Sequence, residues 1–392
     1  MRHLYLAATG QNRGKTTASL GLLDGFRRRG LRAGFMKPVG QRTVILDGVP
    51  ADEDAVLMRE VFGLAEALEA MSPVHIPRGF TKAYIAGEVV EDLGARIDVA
   101  HRVFAEHDVL LIEGTGHAGV GAVIGHSNAV VAARLRAPAV IVSEGGVGRP
   151  IDEIVLNASH FAAHGVAVAG AIVNKVRVDE QPGIARTLER GLARHGIPLL
   201  GVLPYRPVLS NPTLGMVLEG VGGRVIHPGP DLDQVIDGVA IGAMEPRHML
   251  ERIGPGTLVI VPGDREDAIL TLAAAHVSRA GWRVLPPTVE QIDHLVVETP
   301  GAIDAGPEGK ALGILLTGGY APRPEILDAI QQTGMFAASV PDDTYTVASA
   351  VHDLLVKTHA ADAGKIETIK ALVWEHLFID RFLEAASAAD VV

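Results

Sequence analysis

The stretch ATGQNRGKTT, Ala8–Thr17, follows a short apolar run and opens a helical pattern that continues to Arg29. A glycine-rich turn between a strand and a helix aims successive backbone N–H groups, and the positive end of the helix dipole, at whatever lies over it. Phosphate oxygens are the complementary ligand. In that reading Gly10, Gln11, Asn12, Arg13, Gly14, Lys15, Thr16 and Thr17 form the cradle. Lys15 reaches the β- and γ-phosphates, and the Thr16 hydroxyl is placed to ligate Mg²⁺. The common spacing puts a glycine five residues before Gly14, where this chain has Thr9 with Gly10 beside it. A plain strand-to-helix turn with an incidental lysine is the competing account. Gly-Lys-Thr-Thr at the helix start favours the phosphate loop.

Outward from the loop, six short runs, LYLAAT, AGFMKP, VLLIEG, AVIVSE, GAIVNK and LLGVLP, alternate with helical patterns as far as Pro207. That is the rhythm of a parallel sheet with crossover helices. Val109–Ile112 and Ala139–Val142 are apolar at every position, as strands covered on both faces are. The 392 residues exceed one core, since about 150 residues per domain gives roughly 2.6 domains. Pro207, Ser210, Asn211 and Pro212 interrupt the pattern and mark a linker. Three strand–loop–helix units follow: TLVIV with a helix to Ala280, LGILL with a helix to Thr333, and AASV with a helix to Val356. The predicted organisation is an α/β chain with a parallel-sheet domain over 1–207 and a smaller α/β domain over 208–358. A helical tail follows over 359–392, where Ile366, Ile369, Leu372, Val373, Leu377 and Phe382 recur at helical spacing. The tail is expected to pack on the body or on a second subunit, and a homo-oligomer is the expected assembly.

Composition narrows the chemistry. The chain has no cysteine, which excludes disulfides, thiolate metal sites and a cysteine nucleophile. A net charge of -11 makes the whole chain a poor match for nucleic acid or an anionic membrane. No run approaches the roughly 18 apolar residues of a membrane span, so a cytoplasmic protein is expected. His160 and His164 lie four apart without an accompanying carboxylate motif and read as helix-surface residues.

With Thr9 in place of glycine, and the motifs that follow, the first 207 residues resemble the dethiobiotin synthetase-like P-loop ATPases. Ala8 departs from that family's glycine. Gly10 stands where the partitioning ATPases carry an extra lysine, so partitioning is not expected. The resemblance implies a P-loop NTPase-type sheet with helices on both faces, and ATP and Mg²⁺ as cofactors. It assigns Lys37 in FMKPVG to the substrate and phosphate side, and Asp54 and Glu113, with Thr16, to the metal. Oxygen ligands of this kind suit Mg²⁺. A solvated strand-end acid at Glu113 and a surface acid at Asp54 are the alternatives, with Asp52 able to substitute for Asp54. Asn174-Lys175 begins like a nucleobase-reading motif, but Arg177 occupies the position of the guanine-selective acid. The resemblance therefore points Asn174 at adenine, with the Leu203-Pro204-Tyr205 loop lining the base. His117 stands where a glycine would line the family's substrate.

Downstream, Asp264-Arg265, Thr317-Gly318-Gly319 and PDDTYT (Pro341–Thr346) resemble the DRTGG domain. This pair of domains resembles the N-terminal half of long bacterial phosphate acetyltransferases. Both domains are used up by residue 392, so acetyl transfer to phosphate is not expected of this chain. Asp264, Arg265, Thr317, Gly318, Gly319 and Asp343 all follow strands and are predicted to gather at one sheet edge as a second ligand site. The alternative there is that these glycines and acids only turn the chain. The resulting expectation is an ATP- and Mg²⁺-binding protein whose DRTGG domain senses a small-molecule effector or protein partner. An ATP-dependent ligase activating a carboxylate or carbamate, with Lys15 and Lys37 catalytic, and a non-hydrolysing interaction module are the two competing functions.

Overall fold

A computed structural model describes residues 1–388 except 180, 230, 255, 280–312 and 355. The chain divides into two compact units, one of residues 1–206 with 357 onward, the other of 207–356.

The first unit is built on six strands: β1 (Arg2–Ala8), β2 (Ala33–Met36), β3 (Val109–Glu113), β4 (Ala139–Glu144), β5 (Val168–Val176) and β6 (Leu199–Pro204). They are the six apolar runs of the sequence. Their order is β6-β5-β4-β1-β3-β2, and every neighbouring pair is parallel. β3 is buried at every position, as a strand covered on both faces must be. From β1 the chain first moves outward to β2 and then back through β3 to β6. Right-handed crossovers therefore place helix α1 (Lys15–Arg28) on one face and the later helices on the other. Among the later ones are α2 (Glu53–Phe62) and α3 (Gly148–Ala163). The reversal of direction beside β1 is where such sheets open a crevice at their carboxyl ends.

In the second unit the strands β7 (Arg224–His227), β8 (Gly238–Ile241), β9 (Thr257–Pro262), β10 (Gly313–Thr317) and β11 (Phe336–Ser339) run in the order β7-β11-β10-β9-β8. All pairs are parallel except the antiparallel edge β7–β11. Its longer helices among the described residues are α4 (Leu214–Val221), α5 (Glu266–Arg279), α6 (Pro324–Thr333) and α7 (Thr344–His352). Strand alternation sorts the core. Val259, Val261, Ile314 and Leu316 pack with Ile269, Leu272, Ile326 and Ile330 of α5 and α6. Leu258, Ile260 and Leu315 face the other way, onto Leu214, Val217, Val347 and Val351 of α4 and α7. The helix expected to run to Val356 stops at His352, with Asp353 as its cap. Ala280, the expected end of the helix after TLVIV, lies outside the described residues. The two edge strands β7 and β8 were not legible as apolar runs.

Beyond Lys357 the chain returns to the first unit as α8 (Ala363–His376) and α9 (Ile379–Ala388). Here α1 would otherwise be alone on its face of the sheet. Gly21 makes the approach possible, because a Cβ there would run into Val373. Leu377 bridges to Gly201, the Phe378 N–H donates to the Leu200 carbonyl at 3.3 Å, and Phe382 is fully buried. The tail thus completes the helical layer that α1 begins on this face of the sheet. No helix among the described residues is long and apolar enough to cross a membrane.

Candidate functional site

The loop at the carboxyl end of β1 is shaped by its backbone. Gly14, the N-cap of α1, sits at φ 96°, and a side chain there would collide with the Asn174 amide. Asn12 adopts the left-handed region at φ 57°. From behind, Asn174 Nδ2 donates to the Arg13 carbonyl at 3.1 Å and Lys175 Nζ donates to the Asn12 carbonyl at 3.0 Å. Arg13 pairs with Glu144 at the end of β4, and Lys175 Nζ lies 3.0 Å from the same carboxylate. Thr9 stands where a glycine is usual, and its hydroxyl donates to Glu153 Oε2 of α3 at 2.8 Å. These ties hold the cradle without spending Lys15. That side chain makes no hydrogen bond or ion pair with the described residues, and burial lowers its ammonium to about 8 against the pull of Glu113.

In the first turn of α1 the predicted metal residues converge. Thr16 Oγ1 donates to Asp54 Oδ1 at 3.0 Å and lies 3.5 Å from Glu113 Oε1. Ser19 donates to Glu113 Oε2 at 2.6 Å. Lys37, just past β2, reaches both carboxylates, 2.5 Å from Asp54 Oδ2 and 2.9 Å from Glu113 Oε1. It is 4% exposed and Glu113 0%. Burial pushes the Glu113 carboxyl upward, only partly countered by Lys37. Burial acts the same way on Asp54, but the Lys37 charge and the Lys37 and Thr16 hydrogen bonds prevail and bring it down to about 2. Asp52 has a different job. It is the N-cap of α2, accepting the Asp54 N–H at 3.1 Å, so it is Asp54 that faces Thr16.

Thr16, Asp54 and Glu113 present hard oxygen donors around one point, a set that fits Mg²⁺. No group of three or more His, Cys, Asp or Glu able to hold a metal occurs among the described residues. An ion here would therefore draw on the Thr16 hydroxyl and on a phosphate as well as the two acids. His117 is exposed, its Nδ1 accepting from the Gly119 N–H at 3.2 Å. His160 lies on α3 and His164 is the residue that caps its end, their ring centroids 4.7 Å apart.

Asn174 is buried near the end of β5 and Pro204 ends β6. The Arg177 guanidinium lies 4.9 Å from the Tyr205 ring centroid, which joins the loops after these two strands. Sequence reasoning missed this stack, the Arg13–Glu144–Lys175 group and Ser19. Ser19 lies three residues after Thr16 on the same helix face, a spacing that points to it. Glu144 stood in plain view as the acid closing AVIVSE.

In the second unit, parallel strands bring the DRTGG segments to one edge. The Gly263 N–H donates to the Thr317 carbonyl at 2.9 Å, and the Gly318 N–H to the Asp342 carbonyl at 2.7 Å. Thr317 is buried, 2.7 Å from the Thr344 hydroxyl. Asp343 caps α7, accepting from the Tyr345 and Thr346 N–H groups. Arg265 is held by Asp267 through two hydrogen bonds, at 2.8 and 3.0 Å. Asp264, Gly318 and Gly319 remain exposed at the edge.

Fold and site define a P-loop nucleotide-binding domain followed by a DRTGG domain. Residues 2–213 match the AAA domain family, to which the chain belongs, and residues 216–354 match the DRTGG domain. Phosphate acetyltransferase of Nitratidesulfovibrio vulgaris is 26% identical over 385 residues, covering 96% of this chain and 50% of the relative. That of Pseudomonas putida is 27% identical over 399 residues, covering 96% and 51%. The chain thus spans about half the length of these curated relatives. Among solved structures, the Pyrococcus furiosus cell division ATPase MinD is similar at 17% identity and TM-score 0.33, covering 53% of this chain and 86% of its own. The CBS and DRTGG domains of Clostridium perfringens pyrophosphatase, complexed with diadenosine tetraphosphate, are similar at 18% identity and TM-score 0.23, covering 43% and 61%.

Proposed function

We propose that the first unit binds ATP with Mg²⁺ and that the DRTGG unit senses a small-molecule effector or a partner, so that nucleotide state and effector binding are coupled. The observation that carries this is the approach of Asp54 and Glu113 to the Thr16 hydroxyl, one residue after Lys15, which makes no hydrogen bond or ion pair with the described residues. Lys15 and the N–H groups from Gly10 to Thr17 would hold the phosphates, and Thr16, Asp54 and Glu113 would hold Mg²⁺, directly or through water. When bound, the ion would neutralise phosphate charge. Asn174 spends its Nδ2 on the loop, which leaves Oδ1 to accept from the adenine amino group. With Arg177 in place of a guanine-selective acid, ATP is preferred over GTP. The relatives named phosphate acetyltransferase favour an effector or partner from acetyl-group metabolism.

A second reading is ATP-dependent activation of a carboxylate or carbamate, in which Lys37, now paired with Asp54 and Glu113, would help hold an acceptor. Competition calorimetry with ATP and GTP, followed by phosphate release with and without carboxylate acceptors, tests both. GTP displacing ATP at equal concentration contradicts the adenine assignment, and acceptor-stimulated turnover selects the ligase.

A further inference from the structure

Two carboxylates and one ammonium share the interior beside α1, and their geometry has a consequence for the order of binding. Asp54 and Glu113 are close enough that both hydrogen-bond one Lys37 Nζ, at 2.5 and 2.9 Å, and both approach Thr16 Oγ1. Two buried acids at this separation repel unless a cation lies between them. Lys37 is that cation, almost completely buried, with no third acceptor among its hydrogen bonds to described residues. Lys15 and the buried Asp52 also act on this group, Lys15 through Glu113 and Asp52 through Lys37 and Asp54.

We infer that Lys37 is a built-in cation that keeps Mg²⁺ out of the Asp54–Glu113 site until a nucleotide's phosphates arrive to receive its ammonium. Bare Mg²⁺ entering this site meets a fixed positive charge within hydrogen-bond distance of both of its acidic ligands. In surroundings less polarisable than water that repulsion is strong. A metal–nucleotide complex brings its own negative charge. Phosphate oxygens then take over the contacts of Lys37, and the two carboxylates are released to the ion. The inference rests on the nucleotide reading of the loop and extends it: Lys37 is a positioning residue that makes metal binding conditional on phosphate, rather than only a contact for an acceptor. It also accounts for a lysine buried behind a loop that already has Lys15.

The test uses the full chain and Mn²⁺ as a spectroscopic substitute for Mg²⁺, with binding followed by the electron paramagnetic resonance of free Mn²⁺ and by calorimetry, without nucleotide. Wild type is expected to bind no Mn²⁺ at its Asp54–Glu113 site below millimolar concentration. Lys37→Met is expected to bind one Mn²⁺ with affinity higher by about tenfold or more, a factor worth about 1.4 kcal/mol. Adding Glu113→Gln to that variant should abolish the gain. Circular dichroism and thermal melting establish that each variant is folded. Equal Mn²⁺ affinity in wild type and Lys37→Met, or no binding by folded Lys37→Met, overturns the inference. If Lys37→Met does not fold, wild type alone decides by order of addition: ADP binds in the presence of EDTA, while Mn²⁺ alone does not. One-to-one Mn²⁺ binding to nucleotide-free wild type overturns the inference. Absence of any ADP affinity sinks the nucleotide reading on which it rests.

Discussion

Lys37 Nζ lies 2.9 Å from Glu113 Oε1 across 76 positions of sequence, and neither side chain is more than marginally exposed. Two neighbouring parallel strands, β2 and β3, deliver them to the same end of the sheet, where α2 adds Asp54. The charges compensate one another, so the cluster is a structural element as well as a candidate site.

Removing the cation leaves two buried carboxylates facing each other uncompensated. Lys37→Met is therefore expected to destabilise the first unit by about 3 kcal/mol, the scale for breaking a buried ion pair from one side. Urea unfolding measures it. A loss below about 0.5 kcal/mol would mean that the pair is solvated.

The titration of Lys15 sets a pH dependence. Its ammonium is lowered to about 8 by burial, ahead of the opposing pull of Glu113. The unfolded chain holds that proton to a higher pH, so this group favours folding more as pH rises from about 8 towards its ordinary value. Nucleotide affinity moves the opposite way, because phosphate requires the charged form. ATP affinity should fall as pH rises above about 8, by up to tenfold per unit, and binding there should take up a proton. Calorimetry in buffers of different ionisation enthalpy detects the uptake. A flat profile from pH 7.5 to 9.5 contradicts it.

The tail gives a prediction about packing. Gly21→Ala places a methyl against Val373 and is expected to cost about 1 to 3 kcal/mol by forcing α8 off α1. A thermal melt of the variant checks this. No change in melting temperature would mean that the two helices are loosely joined. The same contact means that a fragment ending at 207 would uncover the α1 face, so tests of ATP binding belong in the full chain.

How much of this was legible depends on range. The six strands of the first sheet could be read because buried parallel strands are continuous apolar runs, as Val109–Ile112 shows. The loop was legible because a phosphate cradle needs contiguous residues. β7 and β8 were not, since edge strands such as Arg224–His227 are half solvated and carry no such run. The destination of the tail was also open. The period of Ile366, Ile369 and Val373 shows an apolar helix face, but only the right-handed crossovers, which leave α1 alone on its face, say where that helix docks. The dual partnership of Lys37 was out of reach for the same reason, as it joins three elements distant in sequence.

For the second unit, Arg265→Ala should leave folding within about 1 kcal/mol of wild type, because its pair with Asp267 is exposed. If this edge is the sensing site, acetyl phosphate or acetyl-CoA used as a probe should shift ATP affinity in wild type, and the shift should vanish in the variant. Coupling between sites spans about 5 to 150-fold and is reciprocal. Paired titrations measure it in both directions. A shift that persists unchanged in Arg265→Ala removes that residue from the site.

The most direct test is isothermal titration of the full chain with ATP and Mg²⁺, run beside Lys15→Ala. One-site binding with a dissociation constant below millimolar is expected in wild type, lost in a variant that remains folded, since Lys15 makes no hydrogen bond or ion pair with the described residues. Absence of measurable ATP affinity in wild type, or equal affinity in Lys15→Ala, would contradict the account at its centre.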